Sequence, residues 1–261
     1  MYNRVTGVII GLLMLTAVVS ASTFVTYNVL MSAEDEPFKA KVDRAEGVNH
    51  YTLIEIDEGD NNEEKAITYI LHEFLFSVTG EGDSVTWDFG DGNSGAGSVI
   101  SHQFEEPGQY TVTATSMSPD LIEIQTIEVK VELVGFAEVD NMECTCAPTA
   151  KDTVIDLMAL SMEQSIEGFV KVEHDGSSES CSLRNPLQEC HLRVVLQWTE
   201  ESNVIAQEVL FDETFRSNEV VVDFNVEDLT LEQGDGLQLR LETDQLRDWH
   251  KPTAEWLTTI A

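Results

Sequence analysis

From residue 74 to residue 241, apolar side chains repeatedly occupy every second position, and that period restricts the fold more than any other feature of the chain. Phe74, Phe76 and Val78 alternate with Leu75, Ser77 and Thr79. Val85, Trp87 and Phe89 alternate with Thr86 and Asp88, and Tyr110, Val112 and Ala114 with Thr111, Thr113 and Thr115. Successive strand side chains point to opposite faces of a sheet, so this spacing predicts half-buried antiparallel strands separated by glycine-rich turns. The pattern returns at Leu192, Val194, Leu196 and Trp198, at Val220, Val222, Phe224 and Val226, and at Leu237, Leu239 and Leu241 after the Gln233-Gly234-Asp235-Gly236 turn. Residues 169–172 and 204–211 add two further strands. Between 121 and 133 the phase slips: Ile122 and Ile124 give way to Ile127, Val129 and Val131. A bulge near Gln125-Thr126, or a strand crossing between sheets, is expected there. The predicted class is all-β, with two tandem β-sandwiches over residues 50–135 and 141–261.

Upstream the pattern is different. Residues 5–33 carry no charged side chain. About 20 apolar residues span the hydrocarbon core of a bilayer, and a backbone in lipid must satisfy its own hydrogen bonds, so residues 1–33 are expected to be a transmembrane helix. Arg4 and the α-amino group place the N-terminus in the cytoplasm and the rest of the chain outside. Val19-Ser20-Ala21 offers an alternative, a signal-peptide cleavage site leading to secretion. The apolar run continues past it to Leu30 and Met31, which favours a retained anchor. Residues 34–49 read as an acidic spacer, and 51–56 as a first strand.

Charge narrows the partners. The 261 residues hold 48 Asp and Glu against 14 Lys and Arg, a formal net charge of −34. Phosphates would be repelled, which argues against nucleic acid as a ligand. An acidic surface of this kind keeps a protein dispersed and is similar to that of proteins from salt-adapted archaea.

One stretch resembles a known family. Trp87-Asp88-Phe89-Gly90-Asp91-Gly92, then His102-Gln103-Phe104, then Pro107-Gly108-Gln109-Tyr110-Thr111-Val112-Thr113 look like the three signature segments of a PKD domain, in order and at ordinary spacing. The resemblance covers about residues 50–135 and implies an immunoglobulin-like β-sandwich of the kind found in extracellular and surface proteins. The residues themselves suggest structural roles. Gly90 and Gly92 suit a tight turn needing positive φ, Asp91 can hydrogen-bond its own backbone, and Trp87 and Phe89 would fill the space between two sheets. Asp83, Asp88 and Asp91 form a weak candidate set for calcium; no other cofactor is expected. The second sandwich, jelly-roll-like or immunoglobulin-like, resembles no family.

Cys144, Cys146, Cys181 and Cys190 all fall in the translocated part, where an even number favours disulfides. Cys144 and Cys146 are too close to pair without strain, so each would join Cys181 or Cys190, in one of two connectivities. A four-cysteine metal site is the alternative, although C-x-C with C-x8-C fits zinc poorly. No nucleophile elbow, phosphate loop or H-E-x-x-H motif occurs, and no catalytic residue is nominated. Trp198 is expected in the core. Trp249 and Trp256, in a polar C-terminal tail, are better placed than Trp198 to stack on sugars, although the first reading of each is a packed residue. The function expected from these residues is a membrane-anchored, extracytoplasmic surface protein, not an enzyme, acting as a structural module or as a contact for surface protein or glycan. A pilin-like filament subunit, or a non-catalytic accessory part of an exported hydrolase system, are the alternatives.

Overall fold

A computed structural model describes residues 37–59, 62–80, 82–139, 153–174, 190–215, 217, 219–243 and 250–260. In chain order the strands are β1 (Lys39–Val42), β2 (Glu46–Gly59), β3 (Asn62–Ile70), β4 (Glu73–Thr79), β5 (Ser84–Asp88), β6 (Ser94–Ala96), β7 (Val99–Gln103), β8 (Gly108–Met117), β9 (Ile122–Val139), β10 (Thr153–Asp156), β11 (Gln164–His174), β12 (Cys190–Glu200), β13 (Asn203–Phe215), β14 (Glu219–Leu229), β15 (Asp235–Glu242) and β16 (His250–Ile260). The described residues contain no helix, so none there is long and apolar enough to cross a membrane. The apolar segment 5–33 lies outside the described residues.

The strands form a nine-stranded sheet and two smaller ones. The long sheet runs β14-β11-β16-β9-β8-β5-β6, with β2 parallel to the second half of β9 and β3 antiparallel to β2. The small sheets are β1-β4-β7 and β10-β15-β12-β13. Strand β9 organises the molecule. Its first half pairs with β8, from Gly108↔Val131 to Met117↔Ile122, and its second half with β16, from Leu133↔Thr258 to Glu138↔Thr253. It therefore runs unbroken through residue 135, where the sequence division ends the first sandwich.

Alternation along β9 shows where the layers sit. Val129 and Val131 enter a core with Phe74, Phe76, Trp87, Phe89 and Phe104. Leu133, Ala137 and Val139, on the same side of the strand, enter a second core with Ile155, Val170, Leu192, Val194, Leu196 and Trp256. Both small sheets thus cover one face of the long sheet, side by side, and the opposite face of β9 is left uncovered. Burying these aliphatic and aromatic side chains, at roughly 1.5–3 kcal/mol each, is the main favourable term.

Three local features depart from expectation. The β8–β9 pairing has no register shift, so the slip at 121–133 is not a bulge. Ile122 and Ile124 simply point outward, where they are exposed, while Ile127, Val129 and Val131 point inward. Residues 39–42 and 46–49, inside the stretch read as acidic spacer, are strand: Phe38 is buried in the first core, and β1 pairs with β4. The last eleven described residues, read as a polar tail, form β16, an interior strand between β11 and β9. Its inward positions are His250, Pro252, Ala254, Trp256, Thr258 and Ile260, which do not spell an apolar alternation.

At the junction of the cores the buried Asn49 donates from Nδ2 to the Phe104 carbonyl at 2.9 Å and accepts the His72 N–H at Oδ1, also at 2.9 Å. A polar side chain this deep is held by having both ends of its amide satisfied.

Candidate functional site

The uncovered face becomes a groove where β14, β11, β16 and β9 lie side by side. A row across five strands on the inner face explains its shape: Tyr51, Gly135, Trp256, Gly168 and Phe224 are successive register partners. Large rings alternate with glycines. The Trp256 indole fills the space over Gly135 and sits 6.1 Å from the Tyr51 ring.

On the outer face the neighbouring rows are Asp223, Phe169, Glu255 and Phe136, and Asn225, Glu167, Leu257 and Val134. All of these but Phe136 line a groove of about 550 Å³, with Phe169, Leu257 and Val134 half-buried and Glu167, Asp223, Asn225 and Glu255 exposed along it. Phe169 lies directly between Asp223 and Glu255. Among the described residues, none of the three carboxylates is salt-bridged. A lysine on this face, Lys171, is held by Glu173 at 2.6 Å. That hydrogen bond raises the Lys171 ammonium above its ordinary pKa, with Glu219 and Glu255 adding to the effect. An open, partly aromatic floor edged by hydrogen-bond acceptors can seat a ligand by contact and by hydrogen bonds.

The PKD-like residues form a different constellation, turned inward. Trp87 donates from Nε1 to the Gly97 carbonyl at 2.8 Å, and its ring lies 5.6 Å from that of Phe76. Asp88 accepts the Gly90 N–H at 3.0 Å, closing the turn in which Gly90 and Gly92 have φ of +79° and +89°. Asp91 accepts the Asn93 N–H at 2.9 Å and bonds His102 Nε2 at 2.7 Å. The His102 ring stacks on Phe89 at 3.9 Å and meets Phe104 edge-on at 4.7 Å. Phe104 in turn stacks on Tyr110, whose hydroxyl donates to the Glu106 carbonyl at 2.7 Å. Pro107, Gly108 and Val112 are buried beside them. Burial pushes the Asp91 carboxyl up, but the hydrogen bonds from His102 and Asn93 outweigh it and hold it below the usual carboxylate range.

Asp88 and Asp91 are therefore engaged by their own turn. Among the described residues no three His, Cys, Asp or Glu side chains are grouped to hold a metal, and Asp83 does not join the other two. Cys144, Cys146 and Cys181 lie outside the described residues; Cys190 is described only through its backbone, which begins β12 opposite Phe215. Trp198 is partly buried against the second core, and Trp249 lies outside the described residues. Trp256, read first as a packed residue and only second as a surface ring, is 2 % exposed. It faces inward because β16 is interior and two neighbouring strands present glycines to it. On the outside of the four-stranded sheet, His191 bonds Asp212 at 2.9 Å and Arg193 bridges to Glu242 at 3.3 Å, a network the sequence did not suggest. Phe169 was also unforeseen. Its signal was an aromatic at the outward phase of β11, between Gly168 and Val170.

The match to known proteins follows the first core. Residues 55–131 match the PKD domain family. The matched segment takes in the end of β2, β3 to β8 and the first half of β9, while β1, which completes the small sheet, lies upstream of it. Beyond the PKD domain no family is recognised, and no curated protein matches the chain. Among solved structures, a carbohydrate-binding module of the β-sandwich superfamily aligns at 11 % identity, covering 85 % of this chain and 97 % of that one, with a TM-score of 0.27. A structure of infectious bursal disease virus strain Gx aligns at 9 % identity over 80 % of this chain and 55 % of that one, TM-score 0.33. A β-glucuronidase of Bacteroides uniformis aligns at 7 % identity over 85 % and 30 %, TM-score 0.28. Likenesses this loose carry no weight for architecture or ligand.

Proposed function

We propose that this protein is a membrane-anchored, extracytoplasmic interaction module without catalytic activity, and that it binds a protein or glycan partner in the groove around Phe169. The observation that carries the reading is the groove itself. One face of a continuous sheet is left uncovered, and at one place on it an outward aromatic is flanked by acceptors that hold no salt bridge among the described residues. The PKD domain at residues 55–131 supports an extracellular setting. The uncharged run 5–33 with Arg4 before it supports anchoring and export of the remainder.

Two measurements test this. Protease treatment of intact cells should cut within residues 37–261 and spare an N-terminal tag; protection of the β-rich part would refute the topology. Full-length protein in detergent micelles, screened against glycans and surface proteins, should show a ligand whose binding falls about tenfold or more in Phe169→Ala, as expected for losing an aromatic contact at the centre of an interface. A ligand bound equally well by wild type and variant would place the binding surface elsewhere.

A further inference from the structure

Lys39, Lys41 and Arg44 place three of the chain's 14 basic residues within six positions. Strand β1 pairs with β4 through Lys39↔Thr79 and Lys41↔Ser77, and β4 with β7 through Leu75↔Ser101 and Ser77↔Val99. Phe76 and Val78 point into the core, so alternation sends the two lysines outward, onto the exposed face of the small sheet. There they adjoin Leu75 and Val99, which are 47 % and 62 % exposed. Acids are sparse on this face. Glu73 lies at one end, and the Asp43 carboxylate is occupied by the Leu75 N–H at 2.9 Å.

None of Lys39, Lys41 and Arg44 is salt-bridged among the described residues. Lys65, Lys130, Lys171, Arg193 and Arg240 each hold a carboxylate. In a chain of net charge −34, acids are available almost everywhere, so a face of lysines without carboxylate partners, set among apolar side chains, stands out among the described residues.

Its complement is on the same molecule. The groove carries the carboxylates Glu167, Asp223 and Glu255 over an apolar floor of Val134, Phe169 and Leu257. The small sheet covers one face of the long sheet and the groove opens on the other, so the lysine face and the groove point away from each other. One copy cannot close this contact on itself. Two copies can, and a contact between unlike surfaces leaves a free lysine face and a free groove at the ends, which allows open chains of copies.

We propose that the lysine face of one copy docks on the carboxylate groove of a second copy. This rests on the reading of the groove as a recognition surface and names its partner. Elsewhere two copies repel, because both are strongly acidic; here opposite charges meet around apolar contact, which steers association and sets its register. The contact weakens as salt screens it.

Sedimentation of the full-length protein in detergent micelles tests the proposal by charge exchange. Wild type should self-associate with rising concentration, less so at high salt. Lys39→Glu/Lys41→Glu and Asp223→Lys/Glu255→Lys should each lose self-association by about tenfold or more, and an equal mixture of the two should regain it, because reversing both partners restores attraction. All four positions are exposed, and unchanged unfolding midpoints would show that the variants are folded. A monomeric wild type at every concentration, or a mixture that stays dissociated, overturns the proposal. A monomeric wild type whose groove binds a glycan or another protein, with binding lost in Phe169→Ala, also overturns it but leaves the groove as a recognition surface. If Phe169→Ala alters neither ligand binding nor self-association, both readings fail.

Discussion

An alanine at position 135 would set its Cβ 2.0 Å from Cε2 of Trp256, 2.2 Å from Cζ2 and 2.6 Å from Cδ2. No real Cβ sits that close to three ring atoms, so either the indole or the strand must move. The indole is 2 % exposed and has Tyr51 on one side and the β11 backbone at Gly168 on the other. Forcing a methyl into a packed core costs about 1–3 kcal/mol. Removing the glycine's freedom from the unfolded chain returns about 0.4–1 kcal/mol. Complete expulsion of the ring is bounded by the roughly 3–5 kcal/mol of a buried Trp→Ala substitution. Gly135→Ala should therefore destabilise the protein by about 1–4 kcal/mol, read from urea unfolding followed by circular dichroism. Because the cost comes from one ring, it should be strongly coupled to Trp256. In a Trp256→Leu background the same glycine substitution should cost much less, a non-additivity of about 0.5–3 kcal/mol. Gly168→Ala should not be relieved in that way, since its Cβ meets the Glu255 carbonyl oxygen at 2.3 Å and backbone cannot be trimmed. A Gly135→Ala variant within about 0.5 kcal/mol of wild type, or the same cost with and without the indole, would refute the packing argument.

Asn49→Ala should cost about 1–3 kcal/mol, because it strands the Phe104 carbonyl and the His72 N–H away from water; a neutral unfolding midpoint would mean that water replaces the amide. Asp91 has its folded pKa depressed, so its stabilising contribution is present above the unfolded value of about 3.9 and is lost as pH falls through the folded value. Asp91→Asn should thus flatten the acid limb of a stability–pH curve below about pH 4, and an unchanged limb would count against the His102 and Asn93 bonds. Gly92→Ala should cost only the backbone strain of a positive φ, about 1 kcal/mol, since nothing lies within 4 Å of the new Cβ. Gly90→Ala should cost more, because its Cβ also meets the Thr111 carbonyl at 3.0 Å; equal melting temperatures for the two would contradict this.

Some of this architecture is legible in the sequence. Trp87, Phe89, Val112 and Ala114 are buried where alternation put them, as are Leu192, Val194, Leu196, Leu237, Leu239 and Leu241. A strand in a sheet covered on one face must alternate, and that requirement is local, so it is written in adjacent residues. β16 was hidden for the opposite reason. His250, Pro252 and Thr258 are buried by the strands on either side and by the sheet above, and none is apolar enough to announce it. Ile122 and Ile124 misled in the other direction: a β-branched residue fits a pleated strand whether its face is covered or open.

The groove could not be read locally at all. Phe169, Asp223 and Glu255 are ordinary residues on three strands far apart in the chain, and they meet only through register. The same holds for the lysine face, where residues 39–41 lie beside 75–79 and 99–101. From sequence alone came the acidity, the uncharged N-terminal run, the β period and the PKD turn, because each is a property of composition or of a few consecutive residues. Tertiary structure decided that one strand, β9, serves both cores. It also decided that both small sheets cover the same face and that a broad surface is left open opposite them. Those outcomes depend on which strands pair, and pairing over long separations is set by the packing of the whole sheet.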